Sequence, residues 1–159
     1  MKKFTLHLKK LVFFCVCLVF FVCTGFETAE ENTALIQNIL IKYYDTSVDG
    51  DALKRYEINV TNTGFCRYRK TYSNGKVEYF AFNLSKFKNL DYYGSTTQGE
   101  LYLRTKNDDV IVQTYNDKQG DVDSMGNYVA IPLKEIDQDV LNNLVAHFKQ
   151  LNTSLASNK

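Results

Sequence analysis

Two arginines and two phenylalanines are the residues of this chain with the clearest capacity to bind a ligand. Arg67 and Arg69 alternate along one segment, and Phe80 and Phe82 alternate along the next. Counting back from a two-residue Asn-Gly loop places Arg69 opposite Phe80 and Arg67 opposite Phe82. Two guanidinium groups beside an aromatic floor would bind an anionic or carboxylate-bearing ligand through paired hydrogen bonds. The competing interpretation is structural, because arginine stems often cover aromatic rings on a half-exposed sheet.

Other reactive residue types do not form a recognisable catalytic or metal-binding pattern in the sequence. Cys66 and His147 are formally a nucleophile and a base, but we expect a buried cysteine within a strand and a surface histidine on a helix. The Asp-containing segments 45–51 and 117–126 lack the glutamate of a calcium loop and are better interpreted as polar loops. We therefore predict no cofactor, no metal and no enzymatic activity.

The N-terminus has the composition of an export signal. Four lysines at positions 2, 3, 9 and 10 precede an apolar run at 11–23, and the first acidic residue is Glu27. This order of charged, apolar and small residues predicts a signal peptide at 1–25 and a secreted or periplasmic protein. The alternative is an uncleaved N-terminal membrane anchor, although the 16 residues of 11–26 are fewer than the roughly 20 that span a bilayer.

Removal of the signal peptide changes the charge and the cysteine count. It leaves 15 basic and 18 acidic residues, a net charge of −3, and Cys66 as a single cysteine. A weakly acidic exported domain has no general electrostatic affinity for nucleic acid or anionic lipid. Without a disulfide it depends on its core, and we expect one domain at 26–152 followed by a polar tail at 153–159. Three glycosylation sequons begin at Asn59, Asn83 and Asn152 and have a role only in a eukaryotic secretory pathway.

Apolar periodicity predicts a helix at each end of this domain. The first is expected to begin at Asn32 or Thr33 and to end near Tyr44. The second is expected at 139–151, with acidic residues at its N-terminal end. Its apolar stripe consists of Ile136, Val140, Leu141, Leu144, Phe148 and Leu151.

Alternating apolar residues predict strands between the helices. A strand at 55–61 leads into a central hairpin whose arms are 65–72 and 76–84. A second hairpin is expected to join 100–105 to 110–115, with one face formed by Leu101, Leu103, Val110 and Val112. Polar connections are expected at 85–98 and 116–127, and a short last strand at 128–131.

Together these elements predict an α+β fold, in which an antiparallel meander of five or six strands carries an N-terminal helix and a C-terminal amphipathic helix. The sheet is expected to be strongly twisted or partly closed, because both faces of the central hairpin are partly apolar. The element order resembles that of a pleckstrin-homology-like barrel and also that of a secretion-chaperone-like fold. These resemblances rest on no motif and assign no functional residues.

The sequence leaves three functional hypotheses open. The first is an exported, non-enzymatic binding or protein-interaction module for an unknown protein or a small anionic ligand. The second is a small exported hydrolase that uses carboxylates. The third is a structural accessory of the cell envelope, tethered to the membrane by an uncleaved N-terminus.

Overall fold

The computed structural model describes residues 29–157. The predicted signal peptide at 1–25 lies outside these residues. Within 29–157, no helix combines the length and the apolar composition needed to cross a membrane.

In the described chain, one helix precedes all the strands and one follows them. The helices are α1 (Ala29–Lys42) and α2 (Gln138–Ser157). The strands are β1 (Leu53–Val60), β2 (Phe65–Tyr72), β3 (Val77–Asn83), β4 (Phe87–Gly94), β5 (Gln98–Thr105), β6 (Val110–Tyr115), β7 (Asp123–Gly126) and β8 (Tyr128–Lys134). Short 3-10 turns occupy Gly50–Ala52 and Leu84–Lys86.

The strands form two antiparallel sheets. The larger has the order β1-β2-β3-β6-β7, and the smaller has the order β4-β5-β8. The predicted α+β class, the antiparallel meander and the two terminal helices are confirmed. The sheets stay separate, so the meander does not close into a barrel.

Long strands of the meander bend from one sheet into the other. Ala81 pairs with Ile111 in the larger sheet, and Phe87 pairs with Thr105 in the smaller one. Phe87 lies six residues after Ala81, and Thr105 lies six residues before Ile111. The register is therefore continuous across the bend, and β3–β4 and β6–β5 behave as two long strands that change sheets. The 3-10 turn at Leu84–Lys86 makes the bend between β3 and β4.

The predicted second hairpin is wrong. β5 pairs with β4 and β8, whereas β6 pairs with β3 and β7. The segments 85–98 and 116–127, expected to be connections, contain β4 and β7. The predicted face is correct, since Leu101, Leu103 and Val110 are fully buried and Val112 packs partly buried on the core. Alternation identifies the buried side chains of a strand, but it does not identify the neighbouring strand.

The central hairpin exists, but its loop is one residue longer than predicted. The Tyr72 amide donates to the Lys76 carbonyl at 2.9 Å, which leaves three residues, Ser73 to Gly75, in the loop. Gly75 has a φ of 89°, the left-handed conformation that a three-residue loop requires at its last position. The pairing of β2 with β3 is therefore shifted by one residue from the predicted register.

Both helices extend beyond their predicted limits. α1 begins at Ala29, so Asn32 and Thr33 lie inside the helix and are buried. α2 continues to Ser157, because Leu155 extends the apolar stripe one turn past Leu151 and packs against the core. Residues 153–157, predicted as part of a polar tail, are therefore helical.

One hydrophobic core lies between the inner faces of the two sheets and the two helices. Its buried members include Ile36 and Leu40 from α1, Ile58, Cys66, Tyr68 and Phe82 from the larger sheet, Leu101, Leu103, Ile131 and Leu133 from the smaller sheet, and Leu144, Phe148 and Leu151 from α2. Burial of each large side chain contributes about 1.5–3 kcal/mol. The predicted apolar stripe of the C-terminal helix is thus confirmed, and the opposite, outer faces of the sheets carry the exposed side chains.

Candidate binding surfaces

The structure places the four predicted ligand-binding residues on opposite faces of the larger sheet. Arg67 and Arg69 are exposed on the outer face. Phe82 is 2% exposed in the core, and Phe80 packs partly buried against it. The predicted pairing is wrong because the additional loop residue shifts the register by one, and such a shift exchanges the two faces of a strand. The arginines therefore have no phenylalanine floor from β3.

The outer face of the larger sheet, here called the arginine face, combines apolar and charged side chains. One row across it contains Asn59, Arg67, Ala81, Ile111 and Met125, and the next contains Glu57, Arg69, Tyr79, Gln113 and Asp123. Ile111 is 38% exposed and Met125 is 55% exposed. Within the described residues, neither Arg67 nor Arg69 forms an ion pair. The Arg67 guanidinium carbon lies 5.2 Å from the centroid of the Phe65 ring.

The outer face of the smaller sheet, here called the tyrosine face, carries three aromatic rings on three adjacent strands. Tyr93 belongs to β4, Tyr102 to β5 and Tyr128 to β8. The Tyr102 ring lies 5.3 Å from Tyr93 in an edge-on arrangement and 5.2 Å from Tyr128. Tyr93 is 58% exposed and Tyr128 is 45% exposed. Aromatic side chains therefore occupy a sheet face that is usually polar.

Charged residues hold the tyrosine face in place. Arg104 lies over two rings, with its guanidinium carbon 5.4 Å from the Tyr102 centroid and 5.6 Å from the Tyr128 centroid. Its Nε donates to Asp91 Oδ2 at 2.6 Å, and the Tyr102 hydroxyl donates to Glu100 at 2.7 Å. The rings are thus restrained by cation–π contacts and charge-assisted hydrogen bonds.

A third polar assembly, the Lys70 cluster, lies at the loop end of the central hairpin. It consists of Asp49, Lys70, Tyr72, Lys76, Glu78 and Asp117. Lys70 Nζ lies 3.3 Å from Asp49 and 3.1 Å from Glu78. Lys76 Nζ lies 3.0 Å from Glu78 and 2.8 Å from Asp117. The cluster thereby ties the loops at 45–52 and 116–122 to the hairpin.

The lysines favour the ionised form of two carboxylates in this cluster, Glu78 and Asp117. Burial alone opposes the ionisation of Glu78, but hydrogen bonds from Lys76 and Lys70 outweigh it, so the pKa of Glu78 is lower than its ordinary value. The hydrogen bond from Lys76 also lowers the pKa of Asp117. A general acid requires the opposite, a raised carboxyl pKa. The cluster therefore has the character of a structural ion-pair network.

A tyrosine pair connects this region to the core. The Tyr44 and Tyr68 hydroxyl oxygens are 2.7 Å apart, and the two side chains are 3% and 1% exposed. The Tyr44 ring stacks on Tyr56 with centroids 3.8 Å apart. Burial raises the pKa of both hydroxyls, that of Tyr68 very strongly. Both side chains therefore stay neutral and act as a buried hydrogen-bonded pair.

Cys66 and the cavities add little chemistry. Burial raises the pKa of the Cys66 thiol to about 12, which disfavours the thiolate that a nucleophile needs. An open cavity of about 750 Å³ lies between the loop at 46–50 and the start of β1, and one of about 340 Å³ lies beside Lys88 and Lys106. Among the described residues, no cluster of three His, Cys, Asp or Glu side chains could hold a metal ion.

The sequence did not indicate the tyrosine face as a whole. Its alternation signal is present, since Tyr102 lies between the buried Leu101 and Leu103. Tyr93 was missed as a strand residue, because polar residues and the Gly-Ser-Thr-Thr segment around β4 are typical of a loop. No protein-family model, curated protein or solved structure matches this chain. The functional argument therefore depends on these surfaces alone.

Proposed function

We propose that this protein is an exported, non-enzymatic binding module whose tyrosine face contacts a protein partner. The observation that carries the proposal is the exposure of Tyr93 and Tyr128 beside Tyr102 and Arg104. Tyrosine and arginine are enriched at protein interfaces and among the residues that dominate binding energy. Because the rings are already restrained, little side-chain entropy would be lost on binding.

The shape of this surface favours a protein over a small ligand. Small molecules bind in concave sites that bury most of their surface, whereas the tyrosine face is the open side of a three-stranded sheet. Cross-strand aromatic pairs also stabilise sheets, so a purely structural role is the alternative that an experiment must exclude.

The state of two carboxylates in the Lys70 cluster does not suit a hydrolase that needs a general acid there. Glu78 and Asp117 accept hydrogen bonds from Lys76, and both have lowered pKa values. The remaining alternative, a membrane-tethered accessory, concerns residues 1–28, which the structure does not describe. The same tyrosine face would serve a tethered or a released domain, so these two cases differ in location rather than in surface.

Site-specific photo-crosslinking in the producing cell tests the proposal. A benzophenone amino acid replaces Tyr93 or Tyr128, and in a control it replaces the exposed Lys118 on the β6–β7 loop. We expect a discrete heavier adduct from the two tyrosine positions and not from Lys118. Tyr102→Ala, which removes the central ring, should reduce the adduct from Tyr93. Equal yields at all three positions, or no adduct from the tyrosine face, would refute the proposal.

A further inference from the structure

The arginine face has its opposite charges on opposite sides of the sheet. Glu57 on β1 also lies beside Arg69, but it forms an ion pair with Arg55, so the β1–β2 side of the face keeps the net positive charge of Arg67 and Arg69. Arg69 lies on β2, and Asp123 lies on β7 at the far edge. Both belong to one row, in which Arg69 pairs with Tyr79, Tyr79 with Gln113 and Gln113 with Asp123. Such a face is complementary in charge to a second copy of itself that is turned around.

Apolar side chains occupy the centre between these charges. Ile111 on β6 and its partner Met125 on β7 are 38% and 55% exposed, whereas Ala81 on β3, which pairs with Ile111, is only 3% exposed. Tyr115, also on β6, is 47% exposed. An apolar centre with charged groups around it is the usual composition of a protein interface.

We propose that two copies of this chain pack arginine face to arginine face about a two-fold axis. The axis runs parallel to the strands, between β3 and β6, and therefore places β2 of each copy over β7 of the other. Arg69 of each copy then meets Asp123 of the other, and Ile111 lies over Ala81. The contact is isologous, as in most homodimers, and the strands stay aligned as in packed sheets.

The area of the contact sets its strength. Four overlapping strands, with about 4.8 Å between strands and about six residues each, cover roughly 19 by 20 Å, or about 400 Å² in projection on each copy. Because side chains project from the sheet, the accessible area buried on each copy is larger than this projected area. The buried area is therefore near the lower limit of specific interfaces. We therefore expect a reversible dimer with a micromolar dissociation constant.

This inference is independent of the proposed function. The tyrosine face belongs to the other sheet and stays exposed in the dimer. Loss of dimerisation through Arg69 should therefore leave the crosslinks from Tyr93 unchanged, and loss of those crosslinks should leave the dimer intact.

Sedimentation equilibrium of the purified protein, from micromolar to millimolar concentration, tests the dimer. Arg69→Glu places two like-charge pairs in the contact and should raise the dissociation constant about tenfold or more. Asp123→Arg alone should have the same effect. The double variant, with Arg69→Glu and Asp123→Arg, restores opposite charges and should recover most of the affinity.

Two further variants keep the result unambiguous. Lys88→Glu makes the same charge change at an exposed position of the other sheet and should leave the dissociation constant unchanged. Ile111→Lys places a charge at the centre of the contact and should abolish the dimer even though Arg69 is unchanged. A monomer at all concentrations, or a dimer that neither Ile111→Lys nor Arg69→Glu weakens, overturns the inference. An anion that stabilises the monomer only when Arg67 and Arg69 are present would overturn it as well, by assigning the arginines to a ligand.

Discussion

The buried hydroxyl pair of Tyr44 and Tyr68 allows a quantitative test of the core. Replacement of either tyrosine by phenylalanine removes one oxygen atom and leaves the ring in place. The other hydroxyl, at most 3% exposed, then loses the partner that lies 2.7 Å away. A buried polar group without its hydrogen-bond partner costs about 1–3 kcal/mol. Tyr44→Phe and Tyr68→Phe should each lower the free energy of unfolding by that amount.

The double variant distinguishes a lost partner from lost packing. With both hydroxyls removed, neither is left unsatisfied, and replacement of both partners by apolar groups is nearly neutral. We expect the Tyr44→Phe, Tyr68→Phe variant to be about as stable as either single variant or more stable. The coupling in this cycle should therefore be about 1 kcal/mol or more.

Urea unfolding followed by tyrosine fluorescence measures all three variants, provided that the slope with denaturant is unchanged. Tyr115→Phe is a matched control, because its hydroxyl bonds to Gln113 on an exposed strand and its loss should have little effect. If the double variant loses as much free energy of unfolding as the two single variants together, the two hydroxyls do not depend on each other and this explanation is refuted.

Three further predictions concern the hairpin, the Lys70 cluster and export. Gly75→Val should lower the free energy of unfolding by roughly 1 kcal/mol or more, because its φ of 89° is unfavourable for a branched residue although no neighbour lies within 4 Å of the added Cβ; an unchanged urea midpoint would contradict this. Glu78 has a folded pKa below its ordinary value of 4.5, so its stabilisation is present above pH 4.5 and is lost as the pH falls from there through the folded pKa. The stability difference between the native protein and Glu78→Gln should therefore shrink over that range. Exported protein should begin near Phe26 by intact-mass measurement, and a mass that includes 1–25 would instead indicate a retained anchor.

Side-chain alternation was sufficient to predict the buried faces of β1 and β5. Tyr56, Ile58 and Val60 face inward from β1, as do Leu101 and Leu103 from β5. These positions follow from the two-residue period of a strand and require no knowledge of its neighbours. The helical stripe of α2 was predictable for the same reason, with a period of 3.6 residues.

The pairing of strands could not be obtained in this way. A polar segment after Thr105 is typical of a hairpin turn, and the sequence offers no signal that the chain continues into a second sheet there. The bend is held by tertiary contacts, in which the amide and the hydroxyl of Thr105 both donate to the Asn127 carbonyl. Asn127 follows β7 and lies 22 residues away, so local propensity carries no information about it.

The predicted pairing of Arg67 and Arg69 with phenylalanines is wrong by one residue because the loop has one residue more than predicted, and the role of that residue can be tested. The loop between Tyr72 and Lys76 has three residues, and deletion of Ser73 would leave an Asn-Gly loop of two residues between the same pair. Because Asn-Gly suits a two-residue turn, the register, and with it the burial of Tyr68, should be retained at the cost of one hydrogen bond from the Ser73 amide to Ala52.

Backbone nuclear Overhauser contacts between β2 and β3 would measure this register in the deletion variant. The pairing of Arg67 with Ala81 should persist, and the loss of stability should be about 1 kcal/mol, the net worth of one hydrogen bond. A shift to Arg67 opposite Phe82 would mean that loop length, rather than core burial, selects the face. We expect burial to prevail, because that shift would expose either Cys66 and Tyr68 of β2 or Phe82 of β3. The burial of one large apolar side chain contributes more free energy than one hydrogen bond.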